Sequence, residues 1–119
     1  MTTVAFFRAT DGGLVGFEAS GHSGFARAGE DIVCAAISAL TEATLNGLQS
    51  VVKAPVTFER DEKRALLTAC LTPDCPEETL ERAQILLQTL QEAVQAISRE
   101  YPRNVRIIFK ERRKYACSE

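Results

Sequence analysis

The segment from Gly21 to Cys34 concentrates the side chains that could carry out nucleophilic chemistry. It contains the single histidine of the chain, His22, the cysteine Cys34 and three of the seven glycines. A thiol becomes a strong nucleophile when a nearby base takes its proton, and imidazole exchanges protons readily near neutral pH. Taken singly, a loop histidine and a small apolar cysteine are common structural residues. Together they indicate a thiol-dependent site whose glycines would let a loop open for substrate.

Three further residues could support this pair. Gly21 supplies a hinge directly before His22. Asp31 fits the N-cap of a helix, which would place Cys34 at about the third helical position, where the dipole and free N–H groups favour a thiolate. Its carboxylate opposes that effect. Ser38 lies four residues after Cys34 on the same helix face, within reach of a substrate or of the His–Cys pair.

Hydrophobic periodicity predicts the elements that position these residues. Two β-prone segments, 3–9 and 14–20, flank Asp11-Gly12-Gly13, which is a strong hairpin signal. Apolar residues then recur three or four apart from Asp31 to about Val52, which predicts a helix. Two strands at 56–60 and 65–71, a second helix between Pro76 and Pro102, and a last strand at 105–109 complete the order ββαββαβ. The apolar stripes are Val33, Ile37, Leu40, Thr44, Leu48 and Val51 on the first helix, and Leu80, Ala83, Leu87, Leu90, Val94 and Ile97 on the second.

Two amphipathic helices need a common apolar surface. The short connections between strands favour a mostly antiparallel sheet with both helices on one face, which is an α+β two-layer fold. The chain has 119 residues, 45% of them hydrophobic and 25% charged, which is typical of one domain spanning residues 1–119. The edge strands of so small a sheet are compatible with a homodimer but do not require one.

Composition narrows the function further. A net charge of −2 argues against a general nucleic-acid binder. Residues 103–114 are strongly basic, which is typical of a solvated edge strand and tail, with contact to RNA or an acidic partner as the alternative. The Cys70–Cys75 spacing is a poor zinc signature, so we expect no metal and no cofactor. Without a long apolar stretch or a leader, we expect no membrane association, a cytoplasmic location and reduced thiols.

The segment also resembles the signature of the bacterial ribosomal-processing cysteine protease family, Prp. The matching residues are Gly21-His22, Ala26, Gly29, Asp31-Ile32-Val33-Cys34-Ala35-Ala36, Ser38, Leu40 and Asn46-Gly47-Leu48. The resemblance implies Cys34 as nucleophile and His22 as general base and acid, in small cytoplasmic homodimers. It also implies a substrate: an N-terminally extended large-subunit ribosomal protein that is cut beside aromatic residues. For an aromatic pocket, position suggests Phe25 and Leu45.

Two alternative hypotheses about the function remain. A non-catalytic ribosome-associated binding module would use the basic segment 103–114 and would bind in a salt-sensitive manner without Cys34. A thiol-redox protein is disfavoured, because the sequence has no Cys-x-x-Cys motif and no obvious resolving cysteine for Cys34.

Overall fold

The fold is a five-stranded sheet with two helices. The computed structural model describes residues 1–21, 28–63 and 66–112, and residues 28–31 by their backbone alone. In chain order, the elements are β1 (Thr2–Ala9), β2 (Leu14–Ser20), α1 (Ala28–Asn46) with a π-helical turn (Gly47–Val51), β3 (Val56–Asp61), β4 (Leu66–Leu71), α2 (Glu77–Glu100) and β5 (Val105–Arg112). The predicted order ββαββαβ is confirmed.

The sheet has the strand order β3-β4-β2-β1-β5. Three of its pairings are antiparallel, and β1 and β5 pair in parallel. The mostly antiparallel sheet is therefore confirmed. It is the β1–β5 pairing that makes it mixed, because the long α2 connection returns the chain to the far side of β1. β5 is an edge strand, as the basic composition of its segment predicts.

The β1–β2 hairpin forms at the predicted Asp-Gly position, but only Gly12, and not Asp11 as well, has the positive φ that the signal implies. Gly12 has a φ of +91°, a conformation that glycine adopts without the steric cost of a Cβ. The Asp11 carboxylate accepts a hydrogen bond from the Gly13 N–H at 2.9 Å, which closes the turn. The sequence signal was sufficient here because every interaction is local.

Both helices bury their apolar stripes against the same face of the sheet, as predicted. Alternate residues of the central strands, among them Val4, Phe6 and Phe17, form one core with the helices. The helix residues buried in this core are Val33, Ile37, Leu45 and Leu48 near α1 and Ala83, Leu87, Leu90 and Val94 on α2. Val51 was assigned to the first stripe wrongly, because the π-helical turn shifts the helical phase and leaves this residue 79% exposed.

Gly47 begins the π-helical turn, beside α2. A Cβ at this position would lie 2.9 Å from Leu86 Cδ1, the far end of a flexible side chain that can shift to make room. The contact therefore does not require glycine here. In the Asn46-Gly47-Leu48 motif, Leu48 is the residue buried in the core.

Candidate active site

Cys34 projects from α1 toward the ends of the two central strands. Its side chain is half-buried and its thiol is free. The Sγ atom lies 3.1 Å from Thr2 Oγ1, at the start of β1. A Cβ built on Gly21, directly after β2, would lie 3.8 Å from the same Sγ. The thiol is therefore held where β1 begins and β2 ends.

The pairing of β1 with β2 brings Gly21 close to Cys34. Ser20, the last residue of β2, pairs with Thr3, and this pairing fixes where Gly21 lies. A side chain at position 21 would reach the thiol, and His22 is the next residue along the chain. His22 itself and Phe25 lie outside the described residues.

The start of α1 corrects the interpretation of Asp31. The helix begins at Ala28, so Asp31 lies inside its first turn and is not the N-cap. Acidic residues are favoured in the first turn as well as at the cap, so residue type alone does not locate the start. Cys34 is consequently the seventh helical residue. It lies beyond the turn whose N–H groups are free, and its predicted third position was wrong.

Thr2 is a residue of the site that the sequence does not predict. Its side chain is 3% exposed, and its backbone N–H donates to the Asn104 carbonyl at 2.8 Å. The parallel pairing of Thr2 with Val105 holds it further. No local signal could have identified this residue, since it lies 32 positions from Cys34 and reaches the thiol only through the folded sheet.

A cleft of about 260 Å³ lies between α1 and one end of the sheet. Ser38, one helical turn after Cys34, is exposed and lines this cleft, as its predicted contact with substrate requires. On the strand side, Ala19 lies two residues before Gly21. Cys34 does not itself line the cleft among the described residues and lies one helical turn from Ser38. The described residues that line it are Ala19, Ser38, Thr41, Glu42, Arg60, Asp61, Glu62, Leu66 and Leu67.

An ion pair bounds the far side of the cleft. Arg60 on β3 donates from Nε to Glu42 Oε2 at 2.9 Å and from Nη2 to Glu42 Oε1 at 2.6 Å. These hydrogen bonds from Arg60 hold the pKa of the Glu42 carboxyl below its usual value, and partial desolvation opposes them. The same pair raises the pKa of Arg60. This bidentate contact joins α1 to the edge strand β3 across the cleft.

The remaining cysteines differ from Cys34. Cys75 is buried and free, and desolvation, then the charge of Asp74, raises the pKa of its thiol. Cys70 is disulfide-bonded, so the expectation of reduced thiols fails at that position. Leu45, suggested for an aromatic pocket, is instead fully buried in the core, because it lies on the sheet-facing side of α1.

Within residues 1–21, 28–63 and 66–112, no group of three or more histidine, cysteine or acidic side chains is placed to hold a metal ion. In the same part of the chain, no helix combines the length and the apolar character needed to cross a membrane.

A two-layer α+β fold with a free, half-buried thiol one helical turn from a surface cleft fits a thiol-dependent hydrolase. The chain belongs to the Cysteine protease Prp family, which matches residues 1–106. It is therefore a cysteine protease.

Known relatives agree with this assignment. The Ribosomal processing cysteine protease Prp of Bacillus subtilis (strain 168) is 26% identical over 100 residues, which cover 84% of this chain and 89% of that protein. The crystal structure of an essential ribosomal processing protease Prp from S. aureus with a substrate peptide has a TM-score of 0.81 and 24% identity, over 92% of this chain and 100% of that one. The same S. aureus protease with a covalently linked product peptide has a TM-score of 0.75 at 24% identity, with the same coverage. These structures establish the α+β fold.

Proposed function

We propose that this protease removes a short N-terminal extension from a large-subunit ribosomal protein, with Cys34 as nucleophile and His22 as general base and acid. The observation that carries the proposal is the free Cys34 thiol next to Gly21, one residue before the single histidine of the chain. The name of the B. subtilis relative and the peptide complexes of the S. aureus protease support this substrate class.

The chemistry is acyl transfer through a thioester. His22 takes the Cys34 proton, and the thiolate attacks the scissile carbonyl carbon to form a C–S bond. The tetrahedral adduct collapses, the C–N bond breaks, and His22 gives its proton to the leaving amine. Water then attacks the thioester and gives a proton to His22, which returns it to the departing sulfur. The products are two peptides and the free thiol.

The cleft along α1 is the path for the substrate chain. An extended peptide advances about 3.3 Å per residue, and the turn of helix from Cys34 to Ser38 rises about 6 Å, so Ser38 lies within two substrate residues of the nucleophile. Its exposed hydroxyl can hydrogen-bond to the peptide backbone there. Gly21 leaves space beside the thiol for the scissile bond. Asp31, in the first turn of α1, is a supporting residue whose carboxylate favours the start of the helix.

The proposal also covers the extent of the domain, its location and its oligomeric state. We place one protease domain over residues 1–119, acting in the cytoplasm as a homodimer, with no cofactor, metal, membrane or nucleic acid required. The edge strands β3 and β5 are the surfaces on which a second copy could pair.

The test is cleavage of the N-terminally extended ribosomal protein, followed by intact mass spectrometry under reducing conditions. The unmodified chain and Cys75→Ser should release the same defined N-terminal peptide. Cys34→Ala and His22→Ala should release none, because the two residues act as a unit. Cys75→Ser is the matched control, since it removes a free thiol that follows β4, away from the start of β1 and the end of β2.

Two outcomes would overturn the proposal. Cleavage by Cys34→Ala would mean that the nucleophile is assigned wrongly. Intact substrate with every variant, together with salt-sensitive ribosome binding that survives Cys34→Ala, would support the binding module instead.

A further inference from the structure

The Thr2 hydroxyl is built into the site of the nucleophile. The Thr2 side chain is 3% exposed, and its Oγ1 lies 3.1 Å from Cys34 Sγ. The residue itself has little freedom, because its N–H is bonded to the Asn104 carbonyl at 2.8 Å and it pairs with Val105 in the parallel ladder. A buried hydroxyl must find its hydrogen-bond partner inside the protein, and Cys34 Sγ lies within reach of this one.

The chemistry of the hydroxyl and the thiol sets which of them donates this hydrogen bond during catalysis. A hydroxyl has one proton to donate, and a neutral thiol can either donate or accept. A thiolate can only accept. Once Cys34 loses its proton, the contact must therefore run from the Thr2 O–H to Sγ, and hydrogen bonds to an ionised partner are the stronger kind.

We propose that Thr2 is a positioning residue for the nucleophile: its hydroxyl donates to the Cys34 thiolate, stabilises it, and fixes Sγ at the ends of β1 and β2. The inference rests on the proposed role of Cys34. It adds to the His–Cys pair a third residue that comes from the opposite wall of the site. The α1 helix carries the sulfur, and β1 carries the group that orients it.

The neighbouring Thr3 provides a matched control. It is also a threonine of β1, but side chains alternate along a strand, so Thr3 points to the opposite face of the sheet from Thr2. Its strand partner is Ser20. Removal of its hydroxyl perturbs the same strand without touching the thiol.

The experiment measures alkylation by iodoacetamide, which reacts with thiolates, on the full chain from about pH 5 to about pH 10.5, well above the ordinary pKa of a thiol. Peptide mass spectrometry separates labelling at Cys34 from labelling at Cys75, which serves as the internal reference. The variants are Thr2→Val, which is nearly isosteric and lacks the hydroxyl, Thr2→Ser, which keeps it, and Thr3→Val.

We expect Thr2→Val to slow labelling of Cys34 roughly tenfold near neutral pH and to move the midpoint of its pH profile upward, since a hydrogen bond to a charge is lost. At high pH, where the thiol is ionised regardless, the rates should converge. Thr2→Ser and Thr3→Val should follow the unmodified chain, and labelling of Cys75 should not change.

A Thr2→Val profile that superimposes on that of the unmodified chain would overturn the proposal. Should valine disturb the fold, seen as faster labelling of Cys75, the comparison of Thr2→Ala with Thr2→Ser isolates the hydroxyl, and equal Cys34 profiles would refute it. Labelling needs no substrate, so failure of the proposed ribosomal processing would appear separately, in the cleavage assay.

Discussion

Two residues of α1 illustrate how far a side-chain role follows from spacing. Cys34 and Ser38 lie four positions apart, and this places them on one helix face in the sequence and in the structure alike. Their environments differ, because Cys34 is half-buried against the strand ends and Ser38 is exposed in the cleft. Spacing predicted the shared face, whereas the sheet determined which residue is sheltered.

The exposure of Ser38 leads to a prediction about substrate access. Ser38→Leu should lower kcat/KM roughly tenfold or more, mainly through KM, because a bulky side chain fills the cleft in which the peptide is proposed to lie. The folding stability should be unchanged, since the position is exposed. The measurement is steady-state cleavage of a peptide that spans the scissile bond. Ala39→Leu, an exposed neighbour outside the cleft lining, should cleave normally, and equal losses in both variants would argue against the cleft.

At the scale of elements, one amide ties α2 to the sheet. Gln84 Oε1 accepts from the Leu14 N–H at 2.8 Å, and Gln84 Nε2 donates to the Leu14 carbonyl at 2.6 Å. This contact falls beside a register shift in the β1–β2 ladder, where Phe7 pairs with Gly16 and Arg8 with Leu14, so that Val15 of β2 is the extra residue. The Gln84 amide thus pairs with both backbone groups of Leu14, as a neighbouring strand would, and fixes α2 relative to the hairpin.

Loss of this amide should cost stability and leave the site intact. Gln84→Met keeps the length of the side chain and removes both hydrogen bonds, so we expect the free energy of unfolding to fall by about 1–3 kcal/mol. Urea denaturation followed by circular dichroism would measure it. Gln88→Met, at an exposed position of the same helix, should change the stability little, and comparable destabilisation by both would contradict a role for the amide.

At the scale of the whole molecule, the Arg60–Glu42 ion pair connects the helical layer to an edge of the sheet. Arg60 holds the folded-state pKa of Glu42 below its ordinary value. A depressed carboxyl pKa gives stability that is present above the unfolded-state pKa and lost as the pH falls through the folded-state pKa. Both side chains are partly exposed, so screening keeps the effect small.

The pair should therefore appear as a pH dependence rather than as a large change in stability. The unmodified chain should have a slightly higher melting temperature than Glu42→Gln at neutral pH, and the difference should shrink as the pH falls below about 4.5. Thermal unfolding at a series of pH values would test this. In the Arg60→Gln background, Glu42→Gln should show no such trend, and a trend that persists there would assign it to another group.

The sequence alone determined the element order, the β1–β2 hairpin, the apolar stripe of α2 and the segment that carries Cys34 and His22. These features depend on periodicity, turn chemistry and motif spacing, which act over a few neighbouring residues. The sequence did not predict where α1 begins, because Asp31 suits a first turn as well as an N-cap.

Only the tertiary structure decided which distant groups meet. The contact between Thr2 and Cys34 needs β1 between β2 and β5, and the cleft needs α1 laid across the end of the sheet. Val51 is exposed because the π-helical turn shifts the helical phase at the end of α1. Such features arise from the packing of whole elements against each other, and no local pattern of residues encodes them.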